Sequence, residues 1–168
     1  MFGNTEAVAR AIADGVATQM SVDVRQVADA PHELGPDVGL LVVGGPTHAF
    51  GMTLFGTRKT AVNQGAHPTG GPEIGLREWI AGLRPGDSPP AAATFDTRLH
   101  KRWIPGSAAR KAQKQLRRLG LPIAAEASDF YVSDTPGPLL DGELTRARTW
   151  GSQLGATLVG PEEHHPDT

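Results

Sequence analysis

Cysteine is absent from the 168 residues, which excludes disulfides, thiolate catalysis, Fe–S clusters and Cys-ligated zinc. No apolar run approaches the roughly 18 residues of a membrane-crossing helix. Nothing ahead of the first helical pattern has the form of a signal peptide. The chain has no Gly-x-Gly-x-x-Gly dinucleotide fingerprint, no P-loop lysine and no Gly-x-Ser-x-Gly elbow. Ser107, Asp96 and His48 therefore have no motif support as a nucleophilic triad. The net charge is only −2, which argues against a nucleic-acid binder that works by neutralising phosphates. These absences leave a cytoplasmic protein as the expectation, with neither nucleic acid nor membrane among its partners.

What is present fits that class. Hydrophobic residues make up 39% and charged residues 20%, an ordinary globular balance, and the length suits one domain with its own core. Val8, Ala11, Ile12, Gly15 and Val16 recur on one face, predicting a helix from about Thr5 to Met20. Val22 to Val27 alternates apolar and polar residues, as a half-buried strand does. Val38 to Val43 is a continuous apolar run ended by Gly44-Gly45-Pro46, which predicts a strand covered on both faces.

Thr47 to Pro72 is rich in Gly, Thr and Pro and reads as a long loop. A helix is expected over Ile74 to Leu83 and a short strand over Ala91 to Phe95. Ser107 is a candidate N-cap for a helix that stops at Gly120. Two strand pieces, Ile123 to Glu126 and Phe130 to Ser133, are expected to break at Ser128-Asp129. A last helix runs through Leu144, Ala147, Trp150 and Leu154. Pro161 to Thr168 is a polar tail expected to be disordered, leaving residues 1–160 as the folded domain.

Helix and strand alternate along this order, which implies an α/β fold with a mostly parallel sheet. Ligands of such folds sit at the carboxyl ends of the strands. Three polar loops fall there: Phe2–Thr5, Gly44–Met52 and Phe95–Arg98.

Those loops carry a resemblance to the flavodoxin-like family of FMN-binding proteins. Phe2-Gly3-Asn4-Thr5-Glu6 ahead of a helix resembles the family's phosphate loop. Gly44-Gly45-Pro46-Thr47-His48-Ala49-Phe50-Gly51 resembles its first flavin loop, and Thr94-Phe95-Asp96-Thr97-Arg98 stands in the place of the second. The resemblance implies a three-layer α/β/α fold and non-covalent FMN, with electron transfer or a small flavin-dependent oxidoreductase activity. The partners it implies are a redox protein or a small electron donor or acceptor.

It also assigns roles. Phe2, Gly3, Asn4 and Thr5 form the phosphate loop; Pro46, Thr47, His48 and Phe50 border the isoalloxazine ring; Asp96, Thr97 and Arg98 hydrogen-bond from the second side. Arg98 would stabilise negative charge on reduced flavin. Plainer readings stand beside these. Gly3-Asn4-Thr5 also serves as an ordinary helix start, His48 as a solvated loop histidine, and Phe50 and Trp103 as packing under a loop. The basic run Lys101 to Arg118 reads as a solvated helix face, or as a dock for an acidic redox partner. A flavin-free α/β protein using the same rim for another phosphate ligand, or for protein interaction, is the competing function.

The chain departs from the family pattern at its start. Phe2 replaces a threonine, and the family's first strand, central in its sheet, has no counterpart ahead of Gly3. Losing a central strand would cost about 5–10 kcal/mol, comparable to a domain's whole stability. The expectation is therefore an upstream in-frame strand ending in Ser or Thr. A chain truly lacking it should fold poorly and bind flavin weakly.

Overall fold

A computed structural model describes residues 3–48, 51–52, 75–101, 106–134 and 137–160. Helix α1 spans Asn4–Val16, strand β1 Leu40–His48, strand β2 Gly51–Met52 and helix α2 Leu76–Ala81. Strand β3 is Ala91–Leu99, helix α3 Ala108–Arg118, strand β4 Ser128–Val132 and helix α4 Glu143–Val159. The sheet order is β2-β1-β3-β4. Strands β1, β3 and β4 are parallel, and the two-residue β2 folds back antiparallel on Thr47 and His48. This is the expected α/β class, an open parallel sheet flanked by helices.

Strand parity decides which layer each residue joins. On one face, Val8, Ile12 and Val16 of α1 pack with Phe95, Phe130 and Ala147. On the other, Val43 and Ala92 pack with Trp79 and Ile80 of α2 and Ala112 and Leu116 of α3. Trp79 is buried, and its indole N–H donates to the Ala30 carbonyl at 3.3 Å. Trp150 is half-buried, edge-on to Phe130.

Local signals placed α3 well. The Ser107 hydroxyl accepts from the Arg110 N–H at 3.2 Å, and Gly120 follows the helix at φ 91°. Other boundaries moved. Helix α1 stops at Val16, four residues before Met20. Strand β1 continues through Gly44-Gly45-Pro46 to His48, and β3 through Asp96 and Arg98, because each has a neighbour to pair with there. Strand β4 runs unbroken through Ser128 and Asp129, while Ile123 makes only an isolated bridge to Ala92.

The alternating segment Val22 to Val27 is not a strand. It is largely exposed, with Val22 at 39% and Val24 at 41%, and it turns into a short 3-10 helix at Val27–Asp29. A strand needs a partner at about 4.8 Å. Here a cleft separates the segment from the outer edge of β1. The tail 161–168, most of the long loop, and Trp103 lie outside the described residues.

Candidate functional site

The start of α1 is built around Gly3, which is held at φ 79° in the left-handed region that favours glycine. Its carbonyl accepts the Ala7 N–H at 3.0 Å, and as the N-cap it has no side chain of its own to cap the first turn. Uncapped N–H groups at the positive end of a helix are an anion-binding arrangement. The acidic residue of that turn, Glu6, is exposed and paired to Arg10 at 2.9 Å.

From here a chain of contacts crosses the carboxyl ends of the strands. Thr5 Oγ1 and Thr97 Oγ1 are 2.6 Å apart and share a hydrogen bond, joining α1 to the end of β3. The Thr47 hydroxyl, on β1, donates to Asp96 Oδ2 at 2.6 Å and accepts from the Ala108 N–H at 2.8 Å. The same Asp96 oxygen accepts from the Ser107 hydroxyl at 2.8 Å and from the Ala109 N–H at 3.2 Å. One fully buried carboxylate thus ties β1 and β3 to the N-terminus of α3, with the helix dipole favouring its charge.

Asp96 faces a second carboxyl group. Asp96 and Asp129 are register partners on neighbouring strands, and their Oδ1 atoms are both buried without a hydrogen-bond partner among the described residues. Burial pushes the Asp129 carboxyl above its ordinary value, and the charge of Asp96 pushes it further. Arg110 at 3.8 Å and Arg98 at 3.9 Å oppose the rise without cancelling it.

Beyond β4, Glu143 accepts the Tyr131 N–H at 2.8 Å and is paired with Arg146 at 2.6 Å. Burial opposes the charge of Glu143, but the Arg146 and Tyr131 donors outweigh it and hold the carboxyl below its usual value.

The structure thus brings together Gly3, Asn4, Thr5, Thr47, Asp96 and Thr97. Pro46 is half-buried at the register position opposite Thr97. The Arg98 side chain is only 11% exposed and lies toward Asp129. The backbone of His48 pairs with Gly51. The His48 side chain, Phe2 and Phe50 lie outside the described residues. Ser107, at 3% exposure, spends its hydroxyl on Asp96 and on capping α3.

Two participants escaped sequence reasoning. Asp129 sat in a presumed strand break; treating Ser128 to Val132 as one strand would have put it on the face of Tyr131, opposite Phe130. Gly137, at φ 127°, comes so close to Asn4 that a Cβ there would lie 2.7 Å from Asn4 Nδ2. No local pattern announces that approach.

No known family model matches the chain, and neither does any curated protein sequence. The described residues define a small α/β protein with an open parallel sheet and a polar rim at its carboxyl edge. That architecture is compatible with a flavodoxin-like fold. No helix among the described residues is long and apolar enough to cross a membrane.

Proposed function

We propose that this chain is a flavodoxin-like protein that holds FMN non-covalently at the carboxyl ends of β1 and β3. It would act as an electron carrier or a small flavin oxidoreductase, exchanging electrons with a redox protein or a small donor or acceptor. The observation that carries the reading is the Thr5–Thr97 hydrogen bond at 2.6 Å, which joins the start of α1 to the end of β3. In a hydroxyl pair one O–H donates to the other, so the second hydrogen remains to donate outward. That donor and the first-turn N–H groups suit a phosphate. Gly3 suits it too, since the space a Cβ would take is open.

Bound FMN would supply the redox chemistry through its ring. Gly3, Asn4 and Thr5 would hold its phosphate, and Pro46, Thr47 and His48 would border the ring. Asp96 and Thr97, both buried, support the rim from below. Arg98 sets charge there, balanced by Asp129 when that carboxyl is ionised.

The test is titration of the purified chain with FMN, followed by flavin fluorescence. Saturable quenching is expected, together with a yellow protein that releases its cofactor on denaturation. Gly3→Asp should weaken binding on the order of 100-fold, since a charged hydrogen bond worth about 1.5–3 kcal/mol gives way to repulsion. Gly3→Asn, which tolerates the same backbone and carries no charge, should bind far better than Gly3→Asp. A folded chain that binds neither FMN nor inorganic phosphate refutes the proposal. The burial of Asp96 and Thr97 favours one second reading, a smaller phosphate ligand held at α1 alone. Phosphate binding without FMN binding would select it.

A further inference from the structure

Helix α3 presents one sign of charge to solvent. Arg110, Lys111, Lys114, Arg117 and Arg118 are all exposed. Ala109, Ala112 and Leu116 turn inward on the opposite side. At about 100° per residue, the five cations fall within about 120° of the helix circumference and span about 12 Å of its axis. We propose that this face docks a short acidic segment of a partner protein, and that Arg110 leaves Asp129 for a partner carboxylate when it does. The inference is independent of any cofactor.

Helix stability does not account for the pattern. Arg110 and Lys111 sit in the first turn, at the positive end of the helix dipole, where cations are disfavoured. Arg110 with Lys114, and Lys114 with Arg118, are like charges at i,i+4, which repel across one turn. Helix α3 supplies no carboxylate of its own to offset them. The longer helices place opposite charges one turn apart instead: Glu6 holds Arg10 at 2.9 Å on α1, and Glu143 holds Arg146 at 2.6 Å on α4. A face kept cationic against its own helix is suited to an anion from outside.

Charge elsewhere selects the class of anion. The chain carries −2 in total and α3 five cations without an acid, so the residues outside α3 stand at −7. Screening confines each charge to about 8 Å at physiological salt, so a face of about 12 Å acts alone only on something of its own size. A nucleic-acid backbone or an anionic bilayer extends well past it and meets the negative remainder. Four residues of an extended acidic segment cover about 13 Å and do not.

Arg110 connects this face to the polar rim. Its side chain is 69% exposed, yet Nη2 lies 3.8 Å from Asp129 Oδ2, a loose pair across the end of the sheet. Asp129 is also faced by Asp96 and Arg98 of β3 and by Tyr131 along its own strand. Arg146 of α4 donates to the Asp129 carbonyl oxygen. Burial and the Asp96 charge hold the Asp129 carboxyl above its ordinary value, and Arg110 opposes that rise more than Arg98 does. Arg98 is nearly buried and stays, whereas Arg110 reaches into water and can turn to a partner. When it turns, the Asp129 carboxyl rises further, so docking takes up a proton. The acidic segment therefore competes with Asp129 for Arg110 less as pH falls through the range of that carboxyl.

The experiment follows the fluorescence anisotropy of a labelled peptide, Glu-Asp-Glu-Glu-Asp-Glu, as the purified chain is added. Saturable binding is expected that weakens as salt rises. Lys114→Glu creates opposite-charge pairs with Arg110 and Arg118, so its Tm should hold or rise while peptide affinity falls on the order of tenfold. Absence of binding, or equal binding by folded Lys114→Glu, overturns the proposal. Tighter binding of oligouridylate or of phosphatidylserine vesicles, with the same loss in Lys114→Glu, overturns it in favour of a nucleic acid or a membrane.

Asp129→Asn tests the exchange. At neutral pH it should bind the peptide about two- to fivefold more tightly than wild type, the range set by an exposed ion pair. The gap should close as pH falls; the peptide's own titration cancels, since both proteins meet the same peptide. In an Arg110→Ala background, Asp129→Asn should bring no gain. A gain that persists there, a gap that stays open in acid, or no gain with Arg110 present overturns the exchange.

Discussion

Helices α1 and α4 cross at a glycine contact, and Gly151→Ala is the sharpest test of how closely they pack. A Cβ on Gly151 would stand 2.1 Å from the Ile12 carbonyl oxygen and 2.9 Å from its carbon. Ordinary contact begins near 3.4 Å, so the helices would have to part by more than an ångström. Alanine is preferred over glycine within a helix by about 1 kcal/mol. Overpacking costs about 1–3 kcal/mol, and here the obstacle is backbone, which has no rotamer to yield. A net loss of about 2 kcal/mol is expected, a factor of about 30 in the folding equilibrium.

Gly155, one turn further on, supplies the contrast. Its Cβ would meet the Gln19 Cγ at 2.8 Å, which rotation of that exposed side chain can relieve, and the Gln19 Cβ at 3.0 Å, which must give by a few tenths of an ångström. Gly155→Ala should therefore come out near neutral, the helix gain of about 0.5–1 kcal/mol partly offset by that small adjustment. Urea unfolding of the three proteins with a common m-value separates the two effects. A neutral or stabilising Gly151→Ala, or an equal loss at Gly155, would refute the close-crossing argument. Because α1 carries Asn4 and Thr5, the first variant should also weaken FMN binding and the second should not.

Other outcomes follow from the polar rim and its supports. Asp129 is raised above 3.8, so folding takes up a proton there; that stability is full below the unfolded value and fades as pH rises through the folded one. The Tm of Asp129→Asn relative to wild type should therefore climb from acid to neutral pH, and a pH-independent difference would contradict the raised Asp129 carboxyl. Glu143 runs the other way. Lowered from 4.5, it stabilises above that value and ceases to as pH falls, so Glu143→Gln should be destabilised at neutral pH and approach wild type in acid. Ser107→Ala removes both the cap on Arg110 and a donor to buried Asp96. A loss of about 1–3 kcal/mol is expected in chemical denaturation, and a change within noise would show that neither contact matters.

Much of this molecule could be read from single stretches of sequence. Helix α3 was visible from Ser107 to Gly120 because both signals act on their own backbone. Strand β1 was visible in its apolar run, although its end was not, since Gly44 to Pro46 are held by Phe95, Asp96 and Thr97 from a distant segment. Val22 to Val27 shows the converse. Its alternation is sound, yet alternation specifies only which face is wetter, and ladder partners must come from elsewhere. The rim was foreseen as three loops. Asp96 was named among them, but not its inward role, because it takes its donors from Thr47, Ser107 and the Ala109 amide, scattered over some sixty positions.

Gly44 and Phe95 carry a last consequence. They are register partners on adjacent strands, and a Cβ on Gly44 would fall 2.2 Å from the Phe95 ring. The ring occupies the space that a side chain on β1 would otherwise fill. The two positions therefore form one unit of volume divided unequally, and they should change together or not at all. A library that randomises position 44 alone should return glycine, whereas one that randomises both should also recover pairs in which a larger residue at 44 accompanies a smaller one at 95.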